Sequence, residues 1–365
     1  MDRKKVLIAA GGTGGHMFPA QALAQDLIKD GYDVYFVGAK LDSNKYFHRE
    51  LFRYSTIASA TIKKTNPVSY FTTLASLVKG FWQSWHILTD KQPDLVIGFG
   101  SFHTAPILMA ATLKAKKCVL FESNALPGRV NRFFSRFAFI SAVQFSSSSL
   151  YMHGDTCPVT VPFWSKDPYT DISKQQALQY LGLSFGCKTI LVFGGSQGSD
   201  ALNRAVIDGI AAAKRQGIKL QVIHFTGRST DPSVVMERYR SIGIKCCVKE
   251  FEQEMHYAWS AADFAMCRSG AATIAEMIRF RVPAILVPFP KASEDHQYIN
   301  ALELQKLGVA ICLEERYITP DAVGACLKEI ANLENLQEKL KAIDVFKTSK
   351  HTDSLMDLIS AIMSS

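Results

Sequence analysis

Short runs of β-branched and other apolar residues alternate with stretches of helical period along most of the chain, which predicts parallel strands joined by crossover helices. Residues 6–10, 33–37, 95–97, 118–122 and 140–145 read as the strands of one unit, and residues 189–193, 220–225, 244–248, 264–266 and 284–287 as those of a second. Between them, residues 157–169 hold Pro158, Pro162 and Pro168, break both periods, and read as a hinge. The two units open alike, one strand running into Gly11-Gly12-Thr13-Gly14-Gly15 and the other into Gly194-Gly195-Ser196-Gln197-Gly198. This internal similarity predicts an α/β chain of two doubly wound, Rossmann-like domains facing each other across a cleft. The expected domains are 1–162 and 163–345, with the C-terminal stretch 346–365 packing back on the first. Its amphipathic helix is expected at about 352–363.

One helical stretch has a different character. Phe71, Leu74, Leu77, Val78, Phe81, Trp82, Trp85 and Leu88 fall within an arc of about 140° of a single helix at roughly 100° per residue. Such a stripe is the core face of a crossover helix. Its aromatic content, with Lys63, Lys64 and Lys79 nearby and Arg129, Arg132 and Arg136 on a later basic helix, also suits an anionic membrane surface.

Composition narrows the chemistry. The chain has 365 residues, 48% hydrophobic and 20% charged, so it can bury two ordinary cores and is neither disordered nor a disulfide-stapled miniprotein. Lys and Arg number 41 against 33 Asp and Glu, a net charge of +8 that favours a nucleic acid, a phosphorylated ligand or an acidic lipid surface. The eight cysteines form no C-x-x-C pair, which argues against zinc and disulfide frameworks and for a reducing compartment. The basic start followed by apolar residues 6–10 imitates an export signal, but Gly11 ends it too soon. No uninterrupted apolar run reaches the eighteen or so residues of a membrane span.

A glycine-rich turn after a buried strand lets backbone N–H groups approach a phosphate, and the helix that follows aims its positive end at the same point. Neither turn here is followed by G-K-[ST], so ATP or GTP hydrolysis is disfavoured. The first lacks the G-x-G-x-x-G spacing, and the second strand ends Gly38-Ala39-Lys40 with no acid for a ribose hydroxyl, so NAD chemistry fits poorly.

His16 follows the first turn, at the opening of a helix read as Phe18 to Lys29, and can accept a proton or donate to an oxyanion. Glu122 and Asn124 close a strand where open α/β sheets place ligands, and Gly98 to Phe102 form a third small-residue turn, a backbone platform. In the second unit, residues 267–276 end a strand and start a helix with Ser269 as its cap. Amides at that helix start suit a diphosphate, and Glu276 can accept both hydroxyls of a ribose. Residues 288–297, with Asn300, form a loop rich in groups that bind sugar hydroxyls.

The turn at 11–16 continuing into Met17-Phe18-Pro19, the turn at 194–199, the segment from Arg268 to Glu276 and Asp295-His296-Gln297 together resemble the MurG family, in consistent order over nearly the whole chain. The resemblance implies a GT-B fold and transfer of N-acetylglucosamine from UDP to the C4 hydroxyl of N-acetylmuramyl-pentapeptide carried on undecaprenyl diphosphate. It implies no metal or other cofactor, no nucleic acid, and a peripheral location on the cytoplasmic face of the bacterial inner membrane. Carried over by position, Thr13, Gly14 and Gly15 line the diphosphate side and Asn124 reaches the donor sugar. By the same match Ser196 bonds a UDP phosphate, while Ala271, Ala272, Thr273, Ile274, Ala275 and Glu276 hold phosphate and ribose. Glu252 meets uracil through its backbone, and Gln297 binds hydroxyls of N-acetylglucosamine. Phe71, Val78, Phe81, Trp82 and Trp85 form the membrane patch. The chain departs from the family in having Trp164 in place of a linker Arg, Phe121 in place of a His, and Ser101, Ala105 and Ile107 in place of glycines in the third turn.

The implied reaction inverts the anomeric carbon through an oxocarbenium-like transition state, which needs a base for the acceptor hydroxyl. His16 and Glu122 are both candidates. Two other readings stay open: another UDP-sugar enzyme of the same fold, either a different lipid glycosyltransferase or an epimerase, and a non-catalytic nucleotide-sugar or polynucleotide-binding module. An acceptor assay separates the first, and a steep salt dependence on long polyanions would mark the polynucleotide reading.

Overall fold

The computed structural model describes residues 3–59, 67–162, 172–195, 197–348 and 354–364. The chain forms two compact units, Met1–Trp164 with Lys350–Ser365, and Ser165–Ser349. Trp164, Ser196, Lys63 and Lys64 lie outside the described residues.

In the first unit, β1 (Lys5–Ala9), β2 (Asp33–Ala39), β3 (Tyr54–Ile57), β4 (Leu95–Gly98), β5 (Cys118–Glu122), β6 (Ile140–Val143) and β7 (Thr156–Pro158) form one parallel sheet in the order 3-2-1-4-5-6-7. Helices α1 (Gly14–Lys29), α2 (Pro67–Lys91), α3 (Ala105–Leu113) and α4 (Arg129–Phe134) connect it. Successive residues of β1 face opposite cores, because side chains alternate along a strand. Val6 and Ile8 join Met17, Leu23 and Leu27 of α1, whereas Leu7 and Ala9 join Leu88, Ile107 and Leu108.

The second unit repeats the plan with β8 (Lys188–Phe193), β9 (Leu220–Phe225), β10 (Cys246–Lys249), β11 (Phe264–Cys267), β12 (Ala284–Leu286) and β13 (Ala310–Cys312) in the parallel order 10-9-8-11-12-13. Its helices are α5 (Lys174–Tyr180), α6 (Asp200–Arg215), α7 (Pro232–Ser241), α8 (Met255–Ala261), α9 (Ala271–Arg279), α10 (His296–Lys306), α11 (Pro320–Ala331) and α12 (Leu333–Thr348). α12 carries this unit past residue 345, with Ile343 and Phe346 buried. The last helix, α13 (Leu355–Ser364), belongs to the first unit. Leu355 and Ile359 share a core with Met17 and Phe36, and Lys117 Nζ donates to the Ile362 carbonyl at 3.1 Å.

Three expectations need correction. Residues 157 and 158, read as part of the hinge, form the edge strand β7, where Pro158 pairs with Val143 and its missing N–H faces no neighbour strand. α1 begins at Gly14 rather than at Phe18, since the Thr13 carbonyl already accepts from the His16 and Met17 amides, and Pro19 therefore stands inside the helix, where its φ is helical but one i→i−4 hydrogen bond is given up. The α2 stripe divides. Leu88 is fully buried and Phe81 and Trp85 pack against the same core, while Leu74, Val78 and Trp82, spaced by four, are 59%, 49% and 56% exposed. The side chain of Phe71 lies outside the described residues.

In both sheets the winding reverses beside the first strand, between β1 and β4 and between β8 and β11. Loops leaving the carboxyl ends of these strand pairs diverge in opposite directions and leave a crevice for ligands. All four sequence motifs lie at or beside these points.

Candidate active site

In the first unit the turn after β1 lies against the turn after β4. Gly12 has φ +91°, and a Cβ there would sit 3.1 Å from Ser101 Oγ and 3.3 Å from the His103 ring. Glycine is therefore required for both backbone conformation and approach. At Gly11 a Cβ would come within 2.7 Å of His103 Cβ. Thr13 caps α1 through its backbone alone, its carbonyl accepting from the N–H groups of His16 and Met17 at 3.1 Å each. Thr13 is exposed, Gly14 is buried, and Gly15 and His16 are half-buried. His16 thus sits in the first helical turn, among the amides that an α-helix leaves without intrahelical acceptors.

His103 is the residue that sequence reasoning missed. It sits on the short helical turn Phe102–Thr104, with Nδ1 buried and, among the described residues, without a hydrogen-bond partner. Burial, then the charges of Lys40 and His16, push its pKa below the usual imidazole value. The available signal was a histidine one residue beyond a small-residue turn read as backbone platform.

Glu122, 3% exposed, is a hub. Its Oε1 accepts from Asn124 N at 2.9 Å and Asn124 Nδ2 at 3.1 Å, and its Oε2 from Gly128 N at 2.9 Å and Asn131 Nδ2 at 3.0 Å. Four N–H donors occupy the carboxylate, which orders the loop from Ser123 to Gly128. Asn124 is accordingly turned back on Glu122, with its carbonyl accepting from Ser148 Oγ.

In the second unit the turn after β8 is shaped by Gly198, whose φ is +79° and where a Cβ would meet the Thr226 carbonyl at 2.3 Å. Ser199 then caps α6, accepting from Leu202 N. Arg268, at the end of β11, ties the neighbouring loops together. It is buried and donates to the carbonyls of Val287 and Pro288, to Ser199 Oγ at 2.8 Å and to the carboxylate of Glu315.

α9 starts at Ala271 with Gly270 as its cap, not Ser269. Ser269 is fully buried and its hydroxyl donates to the Gln297 carbonyl at 2.8 Å, so it is unavailable as a cap. Among the described residues no side chain caps α9, and a Cβ on Gly270 would meet nothing within 4 Å. Ala271, Ala272 and Thr273 are the first three residues, whose amides have no acceptor within a helix. Ile274 already donates its N–H to Gly270 and buries its side chain. Ala275 is half-buried in the following turn.

Glu276 is half-buried, and its Oε2 accepts from the indole N–H of the fully buried Trp259 at 2.7 Å. Burial pushes its pKa up to about 7 against the opposing effect of that bond. Gln297 accepts from Phe289 N at 3.0 Å through Oε1, at a loop where Glu294 and Asp295 both adopt positive φ. Glu252 is buried. Burial works to raise its pKa, but the Lys249 ammonium at 2.6 Å and the Glu254 N–H prevail and hold it below the usual carboxylate value. Among the described residues, no three His, Cys, Asp or Glu side chains are grouped so as to hold a metal ion.

Residues 6–140 match the glycosyltransferase family 28 N-terminal domain and residues 189–357 the family 28 C-terminal domain. The UDP-N-acetylglucosamine--N-acetylmuramyl-(pentapeptide) pyrophosphoryl-undecaprenol N-acetylglucosamine transferase of Protochlamydia amoebophila is 37% identical over 98% of this chain and 95% of its own length. The transferase of the same name from Syntrophus aciditrophicus is 32% identical over 97% of this chain and 99% of its own. Among solved structures, Acinetobacter baumannii MurG superposes with a TM-score of 0.77 at 24% identity over 99% of this chain and 100% of its own, and the calicheamicin glycosyltransferase CalG4 with 0.70 at 13%, over 100% and 99%. These neighbours share the GT-B fold of two Rossmann-like domains. With relatives this similar along nearly its entire length, the chain belongs to the MurG family of glycosyltransferases.

Proposed function

We propose that the protein transfers N-acetylglucosamine from UDP-N-acetylglucosamine to the C4 hydroxyl of undecaprenyl-diphosphate-linked N-acetylmuramyl-pentapeptide, inverting the anomeric carbon. The names of the relatives support the donor and the acceptor. The observation that carries the donor half is the uncapped start of α9, with Glu276 about one and a half turns inside it. Three first-turn amides, which helix geometry leaves without an intrahelical acceptor, and a helix dipole suit a diphosphate, and a carboxylate that far along suits the adjoining ribose. In this reading Ala271, Ala272 and Thr273 hold phosphate through backbone amides, and Ser196 is assigned to a UDP phosphate by the resemblance alone. Glu276 holds the ribose, Gln297 and Asn124 the donor sugar, and the backbone at Glu252 the uracil.

The acceptor oxygen attacks C1 of the sugar from the face opposite UDP. One C–O bond forms as the other breaks, and the hydroxyl proton leaves to a base. His16 is that base: it sits beside the glycine turn, and its neutral imidazole has a lone pair to offer. Glu122, saturated by four N–H donors, positions the loop that holds Asn124. Negative charge on the departing diphosphate is met by amides already in place, which need no reorganisation during the reaction. Thr13, Gly14 and Gly15 contribute on the acceptor side.

The protein acts from the cytoplasmic face of the inner membrane as a peripheral enzyme. Supporting this are the exposed Leu74, Val78 and Trp82 of α2, with Lys79 among them in sequence, and the exposed Phe133 and Phe137, with Arg136 over the Phe133 ring and Arg129 lining the same hollow as Val78 and Phe133. Apolar side chains among cations are what an anionic bilayer surface attracts. Phe81 and Trp85, named with them in the sequence, support the patch from beneath. Among the described residues no helix is long and apolar enough to cross a membrane.

The test is incubation of the purified protein with radiolabelled UDP-N-acetylglucosamine and the undecaprenyl-diphosphate muramyl-pentapeptide. Label should enter the lipid fraction. Label released only as free sugar, or retained in the nucleotide, would overturn the reading.

A further inference from the structure

A cavity of about 380 Å³ opens in the first unit between α2, α3 and α4. That size is typical of small-molecule sites, which run from about 300 to 1,000 Å³. Val78 and Phe81 of α2, Met109 of α3 and Phe133 of α4 contribute to its walls, and among the described residues Arg129 is the one charged residue in the lining. An open hollow of this volume with an almost wholly apolar lining is the usual shape of a site for an apolar ligand. Its rim is open, since Val78, Met109 and Phe133 are all exposed.

Phe102 connects this hollow to the active site. Its side chain lines the cavity, and the next residue, His103, packs against Gly11 and Gly12. One short turn therefore has hydrocarbon space under one residue and the proposed diphosphate-binding turn against the other. A ligand holding its diphosphate at the glycine turn and carrying a hydrocarbon chain directly beyond it would thread from one to the other, passing a guanidinium on the way.

We propose that this cavity seats the phosphate-proximal isoprene units of the acceptor's polyprenyl chain, so that the first unit recognises the lipid itself as well as its sugar and diphosphate. The inference rests on the function proposed above, which supplies a molecule joining a diphosphate to a branched hydrocarbon. A bilayer phospholipid would bring acyl chains to the same face but has no diphosphate to fix them beside His103.

The test is calorimetric titration of the full chain with farnesyl diphosphate, alongside inorganic pyrophosphate and dodecylphosphocholine below its micelle concentration. Two variants narrow the cavity, Met109→Trp from the rim, where the residue is 37% exposed, and Ala105→Leu from the α3 side. Farnesyl diphosphate should bind the wild type more tightly than pyrophosphate does. Both variants should weaken it by about tenfold, the loss expected when roughly two methylenes fail to bury. Pyrophosphate and UDP-N-acetylglucosamine should bind all three proteins equally, which also reports that the variants fold. Should Ala105→Leu not fold, Met109→Trp alone decides. Equal affinity for farnesyl diphosphate and pyrophosphate, an unchanged affinity in the variants, or equal competition by dodecylphosphocholine would each overturn the proposal. Failure of the transferase reading would show separately, as binding of farnesyl diphosphate without label entering the lipid.

Discussion

The indole N–H of Trp259 on α8 donates to Oε2 of Glu276 on α9 across 2.7 Å, joining a fully buried aromatic residue to the carboxylate proposed to hold the ribose. The bond favours the ionised form, yet burial dominates and lifts the carboxyl pKa to about 7. The folded state therefore binds this proton more tightly than the unfolded chain. The stability this contributes is fully present below the ordinary value of 4.5 and is lost as pH rises through about 7. Ligand binding runs the other way, because only the ionised carboxylate accepts from both ribose hydroxyls. Affinity for UDP-N-acetylglucosamine, whose diphosphate carries no ionisation in this range, should rise by up to about tenfold between pH 6 and 8. In Glu276→Gln it should be weaker at both ends and flat with pH. Calorimetric titration at the two pH values checks this, and a wild-type affinity independent of pH would remove Glu276 from the ribose.

Glu122→Gln separates a positioning role from a chemical one. Glutamine keeps the shape but presents an NH2 group to donors that need an acceptor, either Gly128 N and Asn131 Nδ2 or the two donors of Asn124. Each buried donor left unpaired costs about 1–3 kcal/mol, so for two donors we expect a loss of about 2–6 kcal/mol in denaturant unfolding. Turnover should fall with the loop's order, yet the limb of the pH profile set by the base should stay in place. Disappearance of that limb with unchanged stability would make Glu122 the base.

His16→Ala should lower kcat by about 10²–10⁴, the usual worth of a positioned general base. The affinity for UDP-N-acetylglucosamine should stay within about twofold, because the donor contacts proposed for α9 involve no group of His16. Steady-state kinetics with the lipid-linked acceptor, paired with direct donor titration, measures both. Full turnover in this variant would show that the proton goes elsewhere.

How far such a site can be read from sequence depends on whether the cause is local. β5 and β9 match their expected bounds because strands of a parallel sheet that are covered on both faces are mostly apolar, β5 running Cys118-Val119-Leu120-Phe121 before Glu122 and β9 burying Gln221 and His224 among Leu, Val, Ile and Phe. β3, β7 and β13 escaped because edge strands are short and mixed in polarity, as in Tyr54-Ser55-Thr56-Ile57. The glycine turns were legible, since a left-handed φ or a close backbone approach leaves few other residues possible. The partners were not. Nothing near Glu276 in sequence announces Trp259, and Ser269 has a cap's chemistry but spends its hydroxyl on the Gln297 carbonyl. Likewise the α2 stripe is a single arc by periodicity, and only packing divides Leu88 and Trp85 from Leu74, Val78 and Trp82.

Arg268 offers the sharpest test of how the second unit holds its ligand loops. Its guanidinium spans the ends of β11 and β12, the cap of α6 and the carboxylate of Glu315, so one buried cation fixes segments from four elements. Arg268→Met leaves Glu315 without its cation and two strand-end carbonyls without donors. Glu315 is only half-buried, so water screens part of the stranded charge, and the loss, with the two carbonyls left without donors, should be about 1–3 kcal/mol, read as a downward shift in the calorimetric unfolding of this unit. Adding Glu315→Leu removes the stranded charge and should restore part of that loss, a coupling that a double-mutant cycle reads directly. Donor affinity should not return with it, because Ser199 and the loop from Val287 to Pro290 still lack the donor that set their positions. Recovery of both stability and affinity in the double variant would show that the salt bridge, and not the bonds to Ser199 and the carbonyls, organises the site.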